Sequence, residues 1–424
     1  MQTHFTPAQL ADPDNAASEK ILRACVHCGF CTATCPTYRL LGDELDSPRG
    51  RISLIKEMLE QGAPATARVV RHVDRCLSCL GCMTTCPSSV HYMHLVDHAR
   101  KHIEQTYSRP LADRLRRWLL AFVLPHAGRF QLALRAARLA RPFRALLPPF
   151  LRRLLAFAPS RIGAPLAPAT HEPDVARIRR VALLAGCVQP ALRPQIDQAA
   201  IRLMNRRGVE VVVAEGAGCC GALTHHMGRE AGALALARAN IDAWMAEIER
   251  GGLDAIIVTA SGCGTMLKDY GHLFRDDPAY AAKAATIAGL ARDVTELVAE
   301  VGLGPVVPTQ RLAVAYHSAC SLTHGQRVVK PPRELLAQAG FDLREVPQGH
   351  LCCGSAGTYN LLQPEIANRL RDDKVAAIES TGAELIAAGN IGCLTQIAGA
   401  TKLPTVHTVE LLDWATGGPK PTDL

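Results

Sequence analysis

No stretch of this 424-residue chain approaches the roughly 18 consecutive apolar residues that cross a bilayer, so a spanning helix is excluded. The residues are nevertheless 48% hydrophobic, enough for sizeable cores. The opening stretch MQTHFTPAQLADPDNAASEK has no basic patch followed by an apolar run. No secretory leader is therefore expected, and the chain reads as cytosolic. Acid is nearly missing from one segment: between Arg109 and Arg161 there are twelve arginines and one acidic residue, Asp113. The net charge of +8 belongs to that segment, which argues against a general nucleic-acid-binding surface. Loose thiols are missing too. All sixteen cysteines fall into patterned sets, and in a reducing compartment such sets point to metal or redox chemistry rather than disulfides.

Two repeats organise the chain. CVHCGFCTATCP supplies Cys25, Cys28, Cys31, Cys35 and Pro36, and CLSCLGCMTTCP supplies Cys76, Cys79, Cys82, Cys86 and Pro87, 51 positions later. The second repeat has a period of about 133: Cys187, Cys219 and Cys220 recur as Cys320, Cys352 and Cys353, and Cys263 recurs as Cys393. A period this long indicates duplicated domains rather than solenoid units. The expected organisation is α+β and multi-domain. A small, mainly α-helical bis-[4Fe–4S] ferredoxin-like domain occupies 1–107, and a basic, Pro-rich helical linker 108–175. Two duplicated α/β CCG modules follow, at 176–305 and 306–424. VALLAG, VEVVVA and AIIVTA read as buried strands of the first module, and RLAVAYHS, DLREVP and ELIAAG as their counterparts. Each patterned cysteine then lies just past a strand's C-terminal end, where open parallel sheets form their crevice. Four cysteines should converge in each module.

The spacing C-x₂-C-x₂-C-x₃-C-P is an iron–sulfur signature: three close thiolates wrap one cluster, and the fourth reaches the other. This assigns Cys25, Cys28, Cys31 and Cys86 to cluster 1, and Cys76, Cys79, Cys82 and Cys35 to cluster 2. Structural zinc prefers two separated ligand pairs and fits this spacing poorly. Gly29 and Gly81, as small residues between ligands, should let backbone amides approach the sulfurs.

The later cysteines form a candidate additional site: Cys187, Cys219, Cys220 and Cys263 in one module, Cys320, Cys352, Cys353 and Cys393 in the other. Adjacent cysteines suit a polynuclear centre or a reactive thiol pair, and the glycine behind each doublet allows a tight turn. GAGCCG, Gly216 to Gly221, imitates a dinucleotide fingerprint, but GHLCCG in the second module keeps the cysteines and loses a glycine. His225, His226, His317, His324 and His350 lie near these loops, either as ligands or as hydrogen-bonded loop residues. His350, two residues before its doublet, is the preferred ligand among them. The arginine-rich segment mixes Leu, Phe and Trp118 with its charges. It reads equally as interfacial membrane helices or as an arm packed on the body or a partner.

The two ferredoxin motifs, the basic linker and the paired CCG modules resemble the iron–sulfur subunit family of bacterial glycolate oxidase (glycolate dehydrogenase). Family-like stretches include ILRACVHCGFCTATCPTYRLLGDELDSPRGRI, TASGCG and HLCCGSAGTYNL. The run Gly42 to Gly50 is not required for cluster ligation and sets the chain apart from generic ferredoxins. The resemblance implies a subunit of an oxidoreductase with two [4Fe–4S] clusters. Its flavin-bearing partner subunits oxidise glycolate to glyoxylate, and electrons leave toward a quinone at the inner face of the membrane, where the chain is peripheral. No catalytic residue is expected here, since no flavin site or paired general base is found. The alternatives are a related glycerol-3-phosphate or lactate dehydrogenase subunit, and a CCG-type thiol/disulfide reductase. One departure stands out: Ala260 and Asn390 occupy places where CCG domains of heterodisulfide reductase type carry a fifth cysteine. A thiol site, a simpler cluster and a vestigial site therefore all stay open.

Overall fold

The computed structural model describes residues 1–159, 161–307 and 311–424. Its N-terminal part is helical. Helices Pro13–Ala24, Pro48–Gln61, Ala67–Asp74 and Tyr92–Thr106 bury Leu22, Ile55, Val73, Leu95 and Ile103 against one another. The starts of these helices are written locally. Asp12 accepts from the amides of Asp14 and Asn15, Ser47 from Gly50 and Thr66 from Val69, each satisfying donors that a helix start leaves free. Pro13 and Pro48 stand in first turns, where their missing N–H costs nothing. Each ferredoxin-type motif folds as a loop followed by a short helix, Phe30–Ala33 or Gly81–Thr85.

Two sheets follow, parallel except for one edge strand. The first contains β1 (Ala169–His171), β2 (Arg179–Leu183), β3 (Val209–Val213), β4 (Ala255–Val258) and β5 (Ala291–Asp293), in the order β1-β3-β2-β4-β5. The second contains β6 (Ala313–Tyr316), β7 (Asp342–Arg344), β8 (Leu385–Ala388) and β9 (Thr405–His407), in the order β7-β6-β8-β9. Apart from β1 the two orders coincide. β1 is antiparallel to β3, so the Pro-rich connector also supplies an edge strand. The six strands expected from apolar runs all form, as do the long helices Glu230–Gly251 and Pro364–Glu379.

The two sheets share one core. Val181, Leu183 and Val298 of the first module pack in the same cluster as Val314, Leu336 and Leu412 of the second. Each such side chain contributes ~1.5–3 kcal/mol when fully buried, so the modules are mutually dependent. Asp413, almost fully buried, receives both Arg202 and Arg206 across this contact. The basic segment forms helices Leu111–Val123, Ala127–Ala140 and Pro149–Ala156. Arg109 and Arg117 fasten it to Asp74 at 2.7 and 2.9 Å, and Phe130 and Leu134 pack with Ala191. Leu111, Leu115, Trp118, Phe122, Leu139 and Phe143 remain exposed. No helix among the described residues is long and apolar enough to cross a membrane.

Candidate iron–sulfur and thiol sites

The first set of thiols surrounds a hollow. Cys25, Cys28, Cys31 and Cys86 line one cavity together with Arg49, Ile52 and Tyr92, and Cys82 of the second set borders it. Cys28 is exposed, with Val26 and Phe30 exposed beside it. The second set lies deeper. Burial, then the sulfurs of Cys79, Cys76 and Cys35, push the Cys82 thiol up. Burial, then Cys320 and Cys35, do the same to Cys79. Cys35 and the Cys76–Cys82 loop, distant in sequence, are thus neighbours in space.

Backbone geometry completes the cradle. His27 and Gly29 both have positive φ, and 51 positions later so do Ser78 and Leu80. Such residues turn successive N–H groups toward one concavity, the arrangement that binds anionic sulfur. The counterpart of Gly29 is therefore Leu80, held at φ 62°, and not Gly81. Gly81 opens the short helix near Thr34 and His324, and its amide reaches the Cys79 sulfur as its small size allows. Gly29 suits this turn through its φ of 89°; a Cβ there would stand 2.5 Å from Arg49 Nη1, the tip of a side chain that would have to shift.

The Gly42 to Gly50 run acquires a physical role. Its Asp46 is fully buried and takes Arg51 (3.3 Å), His72 Nδ1 (2.9 Å) and Arg75 (2.7 Å). Arg51 also donates to Thr37 Oγ1, to the His72 carbonyl and, at 3.9 Å, to Cys35 Sγ. A buried guanidinium thus stands beside the second thiol set and offsets thiolate charge there. Gly50 lets the chain cross itself, since a Cβ would meet the Glu44 carbonyl oxygen at 2.0 Å.

The CCG cysteines also converge. In the first module thiol contacts run Cys187–Cys219–Cys220–Cys263. In the second they run Cys320–Cys352–Cys353–Cys393, with 3.9 Å between the first two sulfurs. Gly221 and Gly354 follow the doublets at φ 88° and 82°, and a Cβ there would meet the carbonyls of Ala233 and Ala367 at 2.9 and 2.4 Å. Asn390, in the place of a fifth cysteine, caps helix Ile391–Ala398 and donates to Ser261 Oγ of the other module. Ala260 stands at the start of the matching helix Ser261–Lys268.

The five histidines divide between the two alternatives, most of them hydrogen-bonded. His225 and His226 pair with buried Asp97 of helix Tyr92–Thr106. His324 bonds Thr84 Oγ1 at 2.8 Å. His350, the preferred ligand, is exposed, and its backbone oxygen accepts from His324 Nε2. The ring that reaches the thiols is His317. It is 2% exposed, and its nearest ring nitrogen, Cys353 Sγ and Cys393 Sγ all lie within 4.8 Å of one another. Neither of its nitrogens has a hydrogen-bond partner among the described residues, an arrangement that costs ~1–3 kcal/mol for each unsatisfied buried group. Lys374, also buried, stands against the same four sulfurs and donates to the carbonyls of Gln348 and Gly349. Sequence adjacency pointed to His350. The usable signal was the end of β6, where HSAC brings His317 to the same crevice as Cys320.

Grouped free thiols, soft donors, left-handed loops and a hollow centre fit iron–sulfur clusters. Residues 21–90 match the family model "4Fe-4S dicluster domain", and residues 181–268 and 314–398 match "Cysteine-rich domain". A solved structure, "Crystal structure of a hypothetical protein from Helicobacter pylori", superposes with a TM-score of 0.54 over 97% of this chain and 74% of that one. At 10% identity that likeness concerns the fold alone. The molecule is thus an iron–sulfur protein that joins a dicluster domain to two cysteine-rich domains.

Curated relatives narrow this further. The glycolate oxidase iron–sulfur subunit of Escherichia coli K12 is 43% identical over 98% of this chain and 99% of its own length. The probable glycolate oxidase iron–sulfur subunit of Bacillus subtilis is 31% identical, covering 93% and 94%. Lactate utilization protein A of B. subtilis is 29% identical but covers 55% of this chain. The chain belongs to the family of glycolate oxidase iron–sulfur subunits.

Proposed function

We propose that this chain is the electron-carrying subunit of a glycolate oxidase complex. Flavin-bearing partner subunits oxidise glycolate to glyoxylate, and the electrons cross this chain toward a membrane quinone. In this reading Cys25, Cys28, Cys31 and Cys86 hold one [4Fe–4S] cluster, and Cys76, Cys79, Cys82 and Cys35 the other. Bound there, the clusters supply one-electron carriers. The observation that carries the proposal is the gradient of exposure between the two thiol sets. Cys28 lies at the surface among exposed Val26 and Phe30, while the second set has no exposed member, with Cys35 and Cys76 buried beside Arg51 and Cys79 close to Cys320. An apolar rim around an exposed ligand suits docking of a flavin subunit, and a second set with no exposed member keeps water away from the onward path.

The basic arm supplies the membrane contact. Leu111, Leu115, Trp118 and Phe122 recur on one face of helix Leu111–Val123, and arginines flank them. Such a helix lies in the headgroup region of an anionic bilayer. The protein then sits on the cytoplasmic face of the inner membrane. The lactate relatives support a second donor, because the flavin partner, not this chain, selects the substrate.

The test is glycolate-driven reduction. The chain is co-purified anaerobically with its flavin subunits and followed by EPR. Glycolate should raise the reduced [4Fe–4S] signal in wild type, and Cys79→Ser should leave the flavin reduced with electron delivery to quinone lost. Cluster reduction by lactate or glycerol 3-phosphate but not by glycolate would overturn the assignment.

A further inference from the structure

We propose that His317 is a metal ligand and that the second cysteine-rich module holds a metal centre in a mixed imidazole–thiolate set. His317, Cys353 and Cys393 form its nucleus, with Cys352 and Cys320 extending the sulfur side. This goes beyond the electron-carrying role, which needs only the eight N-terminal cysteines.

Three distant elements deliver the donors: His317 from the end of β6, Cys353 from the doublet loop, and Cys393 from the start of helix Ile391–Ala398. The fold, and not local spacing, brings them within 4.8 Å of one another, and all three are buried. His317 is the second, independent pointer. A structural histidine in such a place finds hydrogen-bond partners, as His407 of the same module does. Fully buried, His407 reaches the Thr259 carbonyl oxygen at 2.7 Å through Nε2 and accepts from the Val409 amide at 3.1 Å through Nδ1. Both nitrogens of His317 are without partners among the described residues, and the ring stands against the thiols. Coordination satisfies one of them and explains why an imidazole is tolerated there.

The donor chemistry selects the metal class. Imidazole and thiolate without carboxylate suit zinc or iron and not magnesium or calcium. The first module gives an internal control. Its Leu184 occupies the place of His317: the Leu184 amide donates to Ile257 at the end of β4, as the His317 amide donates to Ala387 near the end of β8. The first module's thiols therefore lack this imidazole.

The experiment counts iron, zinc and acid-labile sulfide in the anaerobically purified full chain and in His317→Leu, His317→Cys and Cys393→Ser. Wild type should hold metal beyond the about eight irons of two cubanes. His317→Leu and Cys393→Ser should lose that excess while keeping the eight irons and their EPR signals, and His317→Cys should regain it. Excess zinc without extra sulfide identifies a lone zinc ion, and excess iron with sulfide an iron–sulfur centre; both support the assignment. Should His317→Leu lose the eight irons as well, the protein has not assembled, and His317→Cys decides. The proposal fails if wild type carries no metal beyond the eight irons, if His317→Leu keeps the excess, or if His317→Cys assembles without it.

Discussion

The two cysteine-rich modules repeat one strand order and one cysteine pattern, but they are braced differently. In the first, the doublet is held from within: Asn240 donates to the Cys219 carbonyl and accepts from the Gly218 amide, while Tyr270 donates to the Cys220 carbonyl. That module meets the N-terminal region through charged pairs across a polar cleft, His94–Asp269, Lys101–Glu230 and Arg275–Asp14. In the second, the N-terminal region itself forms the roof. Leu77 packs with Cys352, Tyr359 and Ile366, Cys79 touches the same cluster, and Tyr359 donates to the Arg75 carbonyl at 3.0 Å. One duplicated fold thus has a doublet braced by side chains of its own module and a doublet roofed by the N-terminal region. Only the latter stands next to a ferredoxin-type ligand.

The strongest way to break this contrast is Leu77→Ala. Deleting a large side chain from a buried apolar contact costs ~2–5 kcal/mol. Urea unfolding should report that loss. With clusters assembled, alkylation of Cys352 should accelerate while Cys219 stays protected. Equal acceleration at both would mean that the two thiol sites share one support.

A second difference lies in buried polarity. The first module buries Asp197 with Gln189 and Thr259 donating to it at 2.7–2.8 Å. The second has Leu322, Lys330 and Gly389 at the corresponding places. Burial pushes the Asp197 carboxyl up to about 7, although both hydrogen bonds act to lower it. The folded state then holds a proton that the unfolded chain releases near pH 4. Stability from this group is full below pH 4, falls as pH rises from about 4 to 7, and is flat above. Asp197→Asn removes the dependence. At ~1.4 kcal/mol per pKa unit, the variant should gain a few kcal/mol over wild type between pH 4 and pH 8, read as a difference of denaturation midpoints. An unchanged difference across that window would show Asp197 to be ionised in the fold.

Asn240→Ala comes next. It strips partners from two backbone groups beside the first doublet, at ~1–3 kcal/mol. Hydrogen exchange should quicken at Gly218 and Cys219 and stay unchanged around Cys352 and Cys353. Matching changes at both doublets would deny that the first is braced independently.

What the sequence revealed follows from this geometry. Cluster cysteines within one loop carry their spacing with them, so Cys25 to Cys35 and Cys76 to Cys86 are legible as motifs. The strands ending before Cys187 and Cys320 are apolar runs and equally plain. His317 was named with four other histidines but not preferred, because its thiol neighbours lie 36 and 76 positions away and only the sheet brings them together. β1, β5 and β9 are three residues each, too short for a periodicity to show; β7 is as short and was legible only as the repeat counterpart of β3. The left-handed turn of the second motif was not legible, because glycine is its usual sign and Leu80 is forced into that region by its loop. The asymmetry between modules was invisible in the repeat itself, since it arises from what the N-terminal region touches.

The smallest expected effect concerns the polar cleft of the first module. Lys101 and Arg275 share Asp14, and Lys101 also reaches Glu230, all partly exposed. Burial raises the Asp14 carboxyl, but these two cations outweigh it and hold the group down at about 2. Its contribution is therefore present above pH 4 and lost as pH falls from about 4 to 2. Exposed pairs of this kind contribute ~0–1 kcal/mol and are screened by salt. Arg275→Ala should therefore barely move the unfolding midpoint. One molar salt should speed hydrogen exchange along helix Tyr92–Thr106 where it faces the first module, and leave the Leu77 contact as protected as at low salt. If salt opens the second interface first, the two braces have been assigned the wrong way round.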